Sequence, residues 1–186
     1  MKDFKTYFKT ILKDLQVELS DEFDKNFERK AFFNEKWPQT KWANGKGSLM
    51  TRTGAGRRSI YSKIEGDGIV WRSSLPYMAI HNEGGSIEVT AQMKKFFWAM
   101  YYKSSNAISK KANGDFANTK RNQKLTGEAA IWKSLALMKV GKKMKIPERR
   151  FIGDHPQVKQ SVKRVVDGVM KEIDADLKIL LNPKNK

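Results

Sequence analysis

The chain has 186 residues, 39% hydrophobic and 11% aromatic, which allows one domain with a sizeable core and favours a folded protein over a disordered one. It has no cysteine, which excludes disulfides and thiolate metal sites, and no apolar run approaches the ~18 residues of a membrane span. The net charge of +17 is uneven: residues 1–35 carry 7 Lys/Arg against 8 Asp/Glu and residues 154–186 carry 7 against 5, whereas residues 36–153 carry 23 against 7, which fits a polyanionic neighbour such as nucleic acid and equally a solvated basic surface or an acidic protein partner.

In chain order, the first element is a long helix. Phe4, Phe8, Ile11, Leu15, Leu19, Phe23 and Phe27 recur every three or four residues and form one apolar stripe. Its first residues are charged at helical spacing, unlike a secretory signal. Pro38 should end it near "KAFFNEKWPQ". Residues 37–50 read as an irregular basic loop. Alternation at Ile60, Ser62 and Ile64, with a Gly-Asp-Gly turn, predicts a β-hairpin of strands 59–64 and 69–73, both Gly66 and Gly68 supplying positive φ. "PYMAIHNEGG" predicts two helical turns, opened by Pro76 and stopped at Gly84.

"SIEVT" is a short strand, and Thr90 caps a helix through "AQMKKFFWAMYYK". Residues 104–124 are polar and basic, and read as a mobile excursion. A further helix is expected from a cap at Thr126, then an extended arm through "GKKMKIPERRFIG" with one strand. Val158, Val162, Val165, Val166, Val169, Ile173, Leu177 and Leu180 form the stripe of a closing amphipathic helix between Pro156 and Pro183. The expected class is α+β: a small antiparallel sheet with a β-hairpin, packed by long N- and C-terminal amphipathic helices.

Candidate chemistry is sparse. His81 and Glu83 are two residues apart, so on a helix they point about 200° from one another and do not converge on a metal or proton. The second histidine, His155, has no ligand motif nearby, and a zinc site needs about three or four protein ligands. The favoured role for His81 is a buried ring that hydrogen-bonds a backbone carbonyl and pins the turn. "NGKGSL", with Gly45 and Gly47, lacks the order of a phosphate-binding loop. "TGAGRRS", with Gly54 and Gly56, has Ser59 where a dinucleotide fingerprint needs its third glycine. The block Phe96–Tyr102 is aromatic on nearly every side of its helix, which fits a core or subunit-contact helix better than a membrane-surface one.

Three ordered blocks, "LMTRTGAGRRSI", "YMAIHNEGG" and "IPERRFIG" before a terminal helix, resemble the phage virion morphogenesis family of Mu-like phages and prophages. The matching positions are Leu49, Thr53, Gly54, Ser59 and Ile60; Tyr77, Ala79, Ile80, His81, Gly84 and Gly85; and Ile146, Pro147, Arg149, Phe151, Ile152 and Gly153. Two departures stand out: Gly56 occupies a usually apolar position and Arg150 a usual proline. A segment around 90–125 looks like an insertion relative to shorter members. The resemblance implies a single virion-morphogenesis domain over 1–186, with an N-terminal helix (1–35), a basic central part (36–153) and a C-terminal helix (154–186).

It also implies a non-enzymatic structural protein with no catalytic residue, cofactor, metal or membrane partner. Such a protein forms a homo-oligomeric ring, taken here as a hexamer, that completes the tail or joins tail to head. Its partners are tail-tube and head–tail connector proteins; it is assembled in the host bacterial cytoplasm and carried in the virion. Gly54, Ser59, Tyr77, His81, Gly84, Gly85, Pro147, Arg149, Phe151 and Gly153 are then structural. The charge adds an inference separate from the resemblance: genomic DNA passes the ring, with Arg57, Arg58, Lys63 and Arg72 on or beside the hairpin as candidate DNA-facing groups. The 103–124 lysines would meet a neighbouring protein, and Phe97, Trp98, Tyr101 and Tyr102 are candidate subunit contacts. The competing reading is a free-standing basic nucleic-acid-binding module, whose signature is clustered Lys/Arg interleaved with aromatics.

Overall fold

The computed structural model describes residues 3–39, 50–51 and 53–181. Most of the expected loop at 37–50 lies outside the described residues, as do Gly45, Gly47 and Leu49. The fold is α+β, with long first and last helices in contact, but the strands form three separate two-stranded antiparallel sheets. The chain divides into two compact units, one of residues 1–39, 47–83 and 148–186, the other of 40–46 and 84–147.

In the first unit, α1 (Phe4–Arg29) opens at Asp3, whose Oδ1 accepts from the Thr6 amide at 2.8 Å. Leu15, Leu19, Phe23 and Phe27 are buried as their spacing requires. Nearer the N-terminus the buried side shifts to Tyr7 and Leu12, leaving Phe4 82% exposed. Tyr7 donates its hydroxyl proton to Asp176 on the last helix, which draws that edge of α1 inward. α1 stops well before Pro38, at Lys30 in the left-handed region (φ 54°). A tight hairpin follows: β1 (Ala31–Phe32) pairs with β2 (Glu35–Lys36). Phe32 and Phe33 turn into the core there. Two-residue strands are too short to give a period, so the sequence did not announce them.

One helical turn, α2 (Ala55–Arg58), precedes β3 (Ile60–Glu65) and β4 (Gly68–Ser73). The register pairs Glu65 with Gly68 and leaves Gly66-Asp67 as the turn. Gly66, at φ 59°, holds the first central position, where a two-residue hairpin turn of the II′ kind needs glycine. Gly68 belongs to the ladder and has no positive φ, contrary to expectation. The hairpin packs on α1: Trp71 meets Phe23 edge-on at 5.2 Å, and its Nε1–H donates to Ser20 Oγ at 3.0 Å. Next, α3 (Tyr77–Glu83) ends at Gly84, whose φ of 71° is the usual helix stop.

In the second unit, β5 (Gly85–Glu88) pairs with β6 (Lys143–Ile146), Gly85 opposite Ile146 and Glu88 opposite Lys143. Thr90 Oγ1 accepts from the Met93 amide at 3.1 Å and caps α4 (Ala91–Asn106), which packs on α5 (Lys120–Ala136). Phe97, Leu135 and Ala136 form their buried centre, with Trp132 stacked on Phe97.

The expected excursion at 104–124 is shorter and better tied than its composition implied. Buried Asn122 accepts from the Ser109 amide and hydroxyl, and donates to the carbonyls of Ser109 and Ala117. The helix cap is Thr119, not Thr126: Thr119 accepts from the Asn122 amide, while Thr126 sits inside the helix with its hydroxyl on the Asn122 carbonyl. Polar side chains dominate 120–127, so no apolar period marked the first two turns. The last helix, α6 (Pro156–Leu181), belongs to the first unit and buries Val169, with Val158 and Val165 packed on the core.

Thr119→Ala should therefore lower the protection of α5 amides in hydrogen exchange by about 1 kcal/mol. Thr126→Ala should change it by less than about 0.5 kcal/mol.

Candidate functional site

The three sequence blocks meet in the first unit around residues 149–152, a stretch that pairs with no strand. Its backbone is satisfied instead by other segments. The Arg149 amide donates to the His81 carbonyl at 2.8 Å, and Trp37 Nε1–H donates to the Arg150 carbonyl at 2.6 Å. Asn82 Oδ1 accepts from the amides of Phe151 (2.9 Å) and Ile152 (3.1 Å), and its Nδ2 donates to the Ile152 carbonyl (3.1 Å). From α1, fully buried Asn26 donates to the Phe151 carbonyl at 3.1 Å and accepts from the Phe33 amide at 2.9 Å. Phe151 then packs into a cluster with Phe27, Trp37 and Met78.

The first block joins from below this cluster. Ile60 and Met50 pack against it, and a Cβ on Gly56 would come within 2.8 Å of Met78 Sδ. The absent side chain at Gly56 leaves room that Met78 fills. Ser59 is buried, its hydroxyl 2.6 Å from the Gly56 carbonyl and 2.7 Å from Ser73 Oγ. Gly54 begins α2 at φ 68°. Gly85 lies in the β5–β6 ladder, Pro147 ends the second unit, and a Cβ on Gly153 would lie 3.1 Å from the Arg150 side chain.

His81 departs from its expected role. Its Nδ1 is buried with no hydrogen-bond partner among the described residues; the backbone carbonyl, not the ring, carries the link to Arg149. The ring meets Tyr77 edge-on at 6.1 Å. Burial, helped by the Arg149 charge, pushes the imidazole below its ordinary pKa of 6.5. Arg149 is itself buried, with Nε donating to the Pro38 carbonyl at 3.1 Å and no carboxylate in ion-pairing distance among the described residues. Desolvation lowers its pKa too.

Beside this brace is a cavity of about 270 Å³, lined among others by Trp71, Ser73, Met78, Asn82 and Glu83. Ser73 spends its hydroxyl on Ser59 and the Leu75 amide, and Asn82 spends its side chain on 151–152. Among the described residues that line it, no nucleophile–base pair therefore faces the cavity. Among the described residues no group of three or more His, Asp or Glu is placed to hold a metal.

The candidate DNA-facing groups are engaged with nearby acids and carbonyls. Arg57 forks onto Asp24 and Glu28 of α1, which raises its pKa, so it fastens α2 to α1. Arg72 holds Glu65 through two hydrogen bonds, at 2.5 and 3.0 Å, with Lys63 3.9 Å from the same carboxylate. Arg58 donates to the Thr53 carbonyl. Arg57 and Arg72 thus have carboxylates beside them, which reduces the charge they present, whereas the carbonyl that holds Arg58 leaves its charge in place. Of the candidate subunit contacts, Phe97 is buried in the α4–α5 core and is corrected to a core residue. Trp98 packs beside that core and stacks on Tyr102, Tyr101 is half-buried, and Tyr102 is 55% exposed.

Sequence reasoning missed Asn26 and Asn82. Asn26 carried a signal: it stands three residues after Phe23 and seven after Leu19, a polar residue on the apolar face of α1. Asn82 carried none beyond its place beside His81. Comparison with protein-family models, curated proteins and solved structures finds no significant match to the chain.

Asn82→Ala strands the amides of Phe151 and Ile152, and should cost about 2–4 kcal/mol in urea unfolding of the first unit. Asn82→Asp keeps both acceptor bonds and should cost less. His81 gives a pH test. Its folded pKa is depressed, so the unfolded chain binds the extra proton, and stability should fall as pH drops below 6.5. His81→Gln should flatten that part of the Tm-against-pH curve between about pH 7 and 5.

Proposed function

We propose that the chain is a non-enzymatic structural subunit of a tailed bacteriophage, assembling with copies of itself into a ring that completes the tail or joins it to the head. The observation that carries this reading is the convergence of the three family-like blocks on a backbone brace. Ser59, His81, Arg149 and Phe151 hold segments together, and none faces a cavity with a partner for chemistry. Residues kept for architecture suit a protein whose product is an assembly.

A surface for self-contact supports the reading. The C-terminal half of α6 continues the apolar stripe past the core: Leu177 is 39% and Leu180 55% exposed. The Tyr7–Asp176 hydrogen bond brings exposed Phe4 to the same end of the helix pair. Apolar residues grouped in this way mark contacts between chains. Tail-tube and connector proteins are the expected neighbours, and the virion the expected location.

Light scattering after gel filtration, with negative-stain imaging, tests the proposal: the purified chain should form closed rings at micromolar concentration. Leu177→Glu with Leu180→Glu should give a monomer of unchanged helix content. A wild-type chain that stays monomeric at high concentration and is absent from particles would refute the ring.

A further inference from the structure

The positive charge divides between the two units in a way the linear sequence hid. The first unit holds 22 Lys/Arg against 17 Asp/Glu, whereas residues 84–147 hold 13 against 3. Every ion pair among the described residues lies in the first unit. Twelve of the thirteen cations at 84–147 are exposed, Lys94 being half-buried. We infer that residues 84–147 form a sequence-independent nucleic-acid-binding module, centred on the loop between α4 and α5 and the first turns of α5.

Three observations converge on that end of the helix pair. Lys110 and Lys111 are exposed on the loop, and Lys120, Arg121 and Lys124 crowd the first turns of α5 with no acid in its first turn. Cations there oppose the helix dipole, so an anion held beside them relieves both the mutual repulsion and the dipole mismatch. The loop carrying Lys110 is fixed, not loose, because Asn122 ties Ser109 and Ala117 together. Phe116, 65% exposed, stands on the same loop with Lys110 Nζ 5.8 Å from its ring centroid. A fixed aromatic beside fixed cations matches a base and its flanking phosphates.

A nucleic acid fits this charge better than an acidic protein does. The surplus does not stop at the loop: Lys142, Lys143 and Lys145 lie at the other end of the unit, on and beside β6. α4 alone is about 24 Å long at ~1.5 Å per residue, the rise of about seven base pairs at ~3.4 Å. A uniform polyphosphate can neutralise cations spread over that length, whereas one acidic patch neutralises one cluster. The inference does not rest on ring assembly: a monomer that binds DNA through 84–147 satisfies it, and a ring that binds none refutes it alone.

Fluorescence anisotropy of the full chain with labelled random-sequence DNA of about 20 nucleotides, single- and double-stranded, tests it. Five phosphate contacts predict a loss of about 500-fold in duplex affinity between 50 and 200 mM salt. The variant K110Q/K111Q/K120Q/R121Q/K124Q should weaken binding more than about tenfold and flatten the salt slope, while K159Q/K163Q/K171Q on α6 should change neither. F116A should weaken single-stranded binding and spare duplex binding. If the fivefold variant loses helix content, K110Q/K111Q, which touches only the loop, should still reduce the slope. Absence of binding at 50 mM salt, equal binding by both loop variants and wild type, or equal competition by polyglutamate at matched charge would overturn the inference, the last in favour of an acidic protein partner.

Discussion

The first unit depends on hydrogen bonds to a stretch of backbone that has no strand beside it. Residues 149–152 run through buried surroundings, where each unpaired amide or carbonyl would cost as much as a lost hydrogen bond. Asn26 and Asn82 supply what a sheet would have supplied, Asn26 donating to the carbonyl of Phe151 and Asn82 accepting from its amide. An asparagine side chain has the donor and acceptor of a peptide group, so it can complete a ladder without adding a strand. With the backbone fixed, Phe151 can enter the Phe27–Trp37–Met78 cluster and α6 can begin a few residues later against α1.

This arrangement explains why some of the fold was legible in the sequence and some was not. Long periodic elements declared themselves: Leu15 to Phe27 on α1, the alternation of β3, and Val158, Val165 and Val169 of α6 follow burial that repeats along the chain, although Val162 is 37% exposed. The brace does not repeat. Asn82 acts through three hydrogen bonds to residues about seventy positions away, and no local pattern encodes such a partner. The displaced start of α5 has a related cause, since Asn122 and Thr119 hold that end by polar bonds that leave no apolar period. The ring bond expected of His81 is absent among the described residues: its link to Arg149 runs through the backbone carbonyl, which any residue would supply.

Charge was legible in amount and not in placement. A linear count put the excess in the middle of the chain, yet folding gave Arg57 two carboxylates from α1 and gave Arg72 of β4 one from the facing strand β3. What remains uncompensated belongs to a segment whose lysines have three acids among them. Counts along a chain thus locate a surplus only after the ion pairs are subtracted.

The long separation of bonded partners has a consequence for synthesis. Asn26 meets Phe151 across 125 positions, and Tyr7 meets Asp176 across 169. At roughly 5–20 residues per second, α1 emerges about 6–25 s before the stretch that completes its core. During that interval its apolar stripe has only the early hairpins to cover it. The helix pair of residues 84–147 is contiguous and can close while the ribosome is still working. α1, synthesised well before residues 149–181, is therefore among the last elements to find its final partners, and its exposure to aggregation is set by the speed of translation.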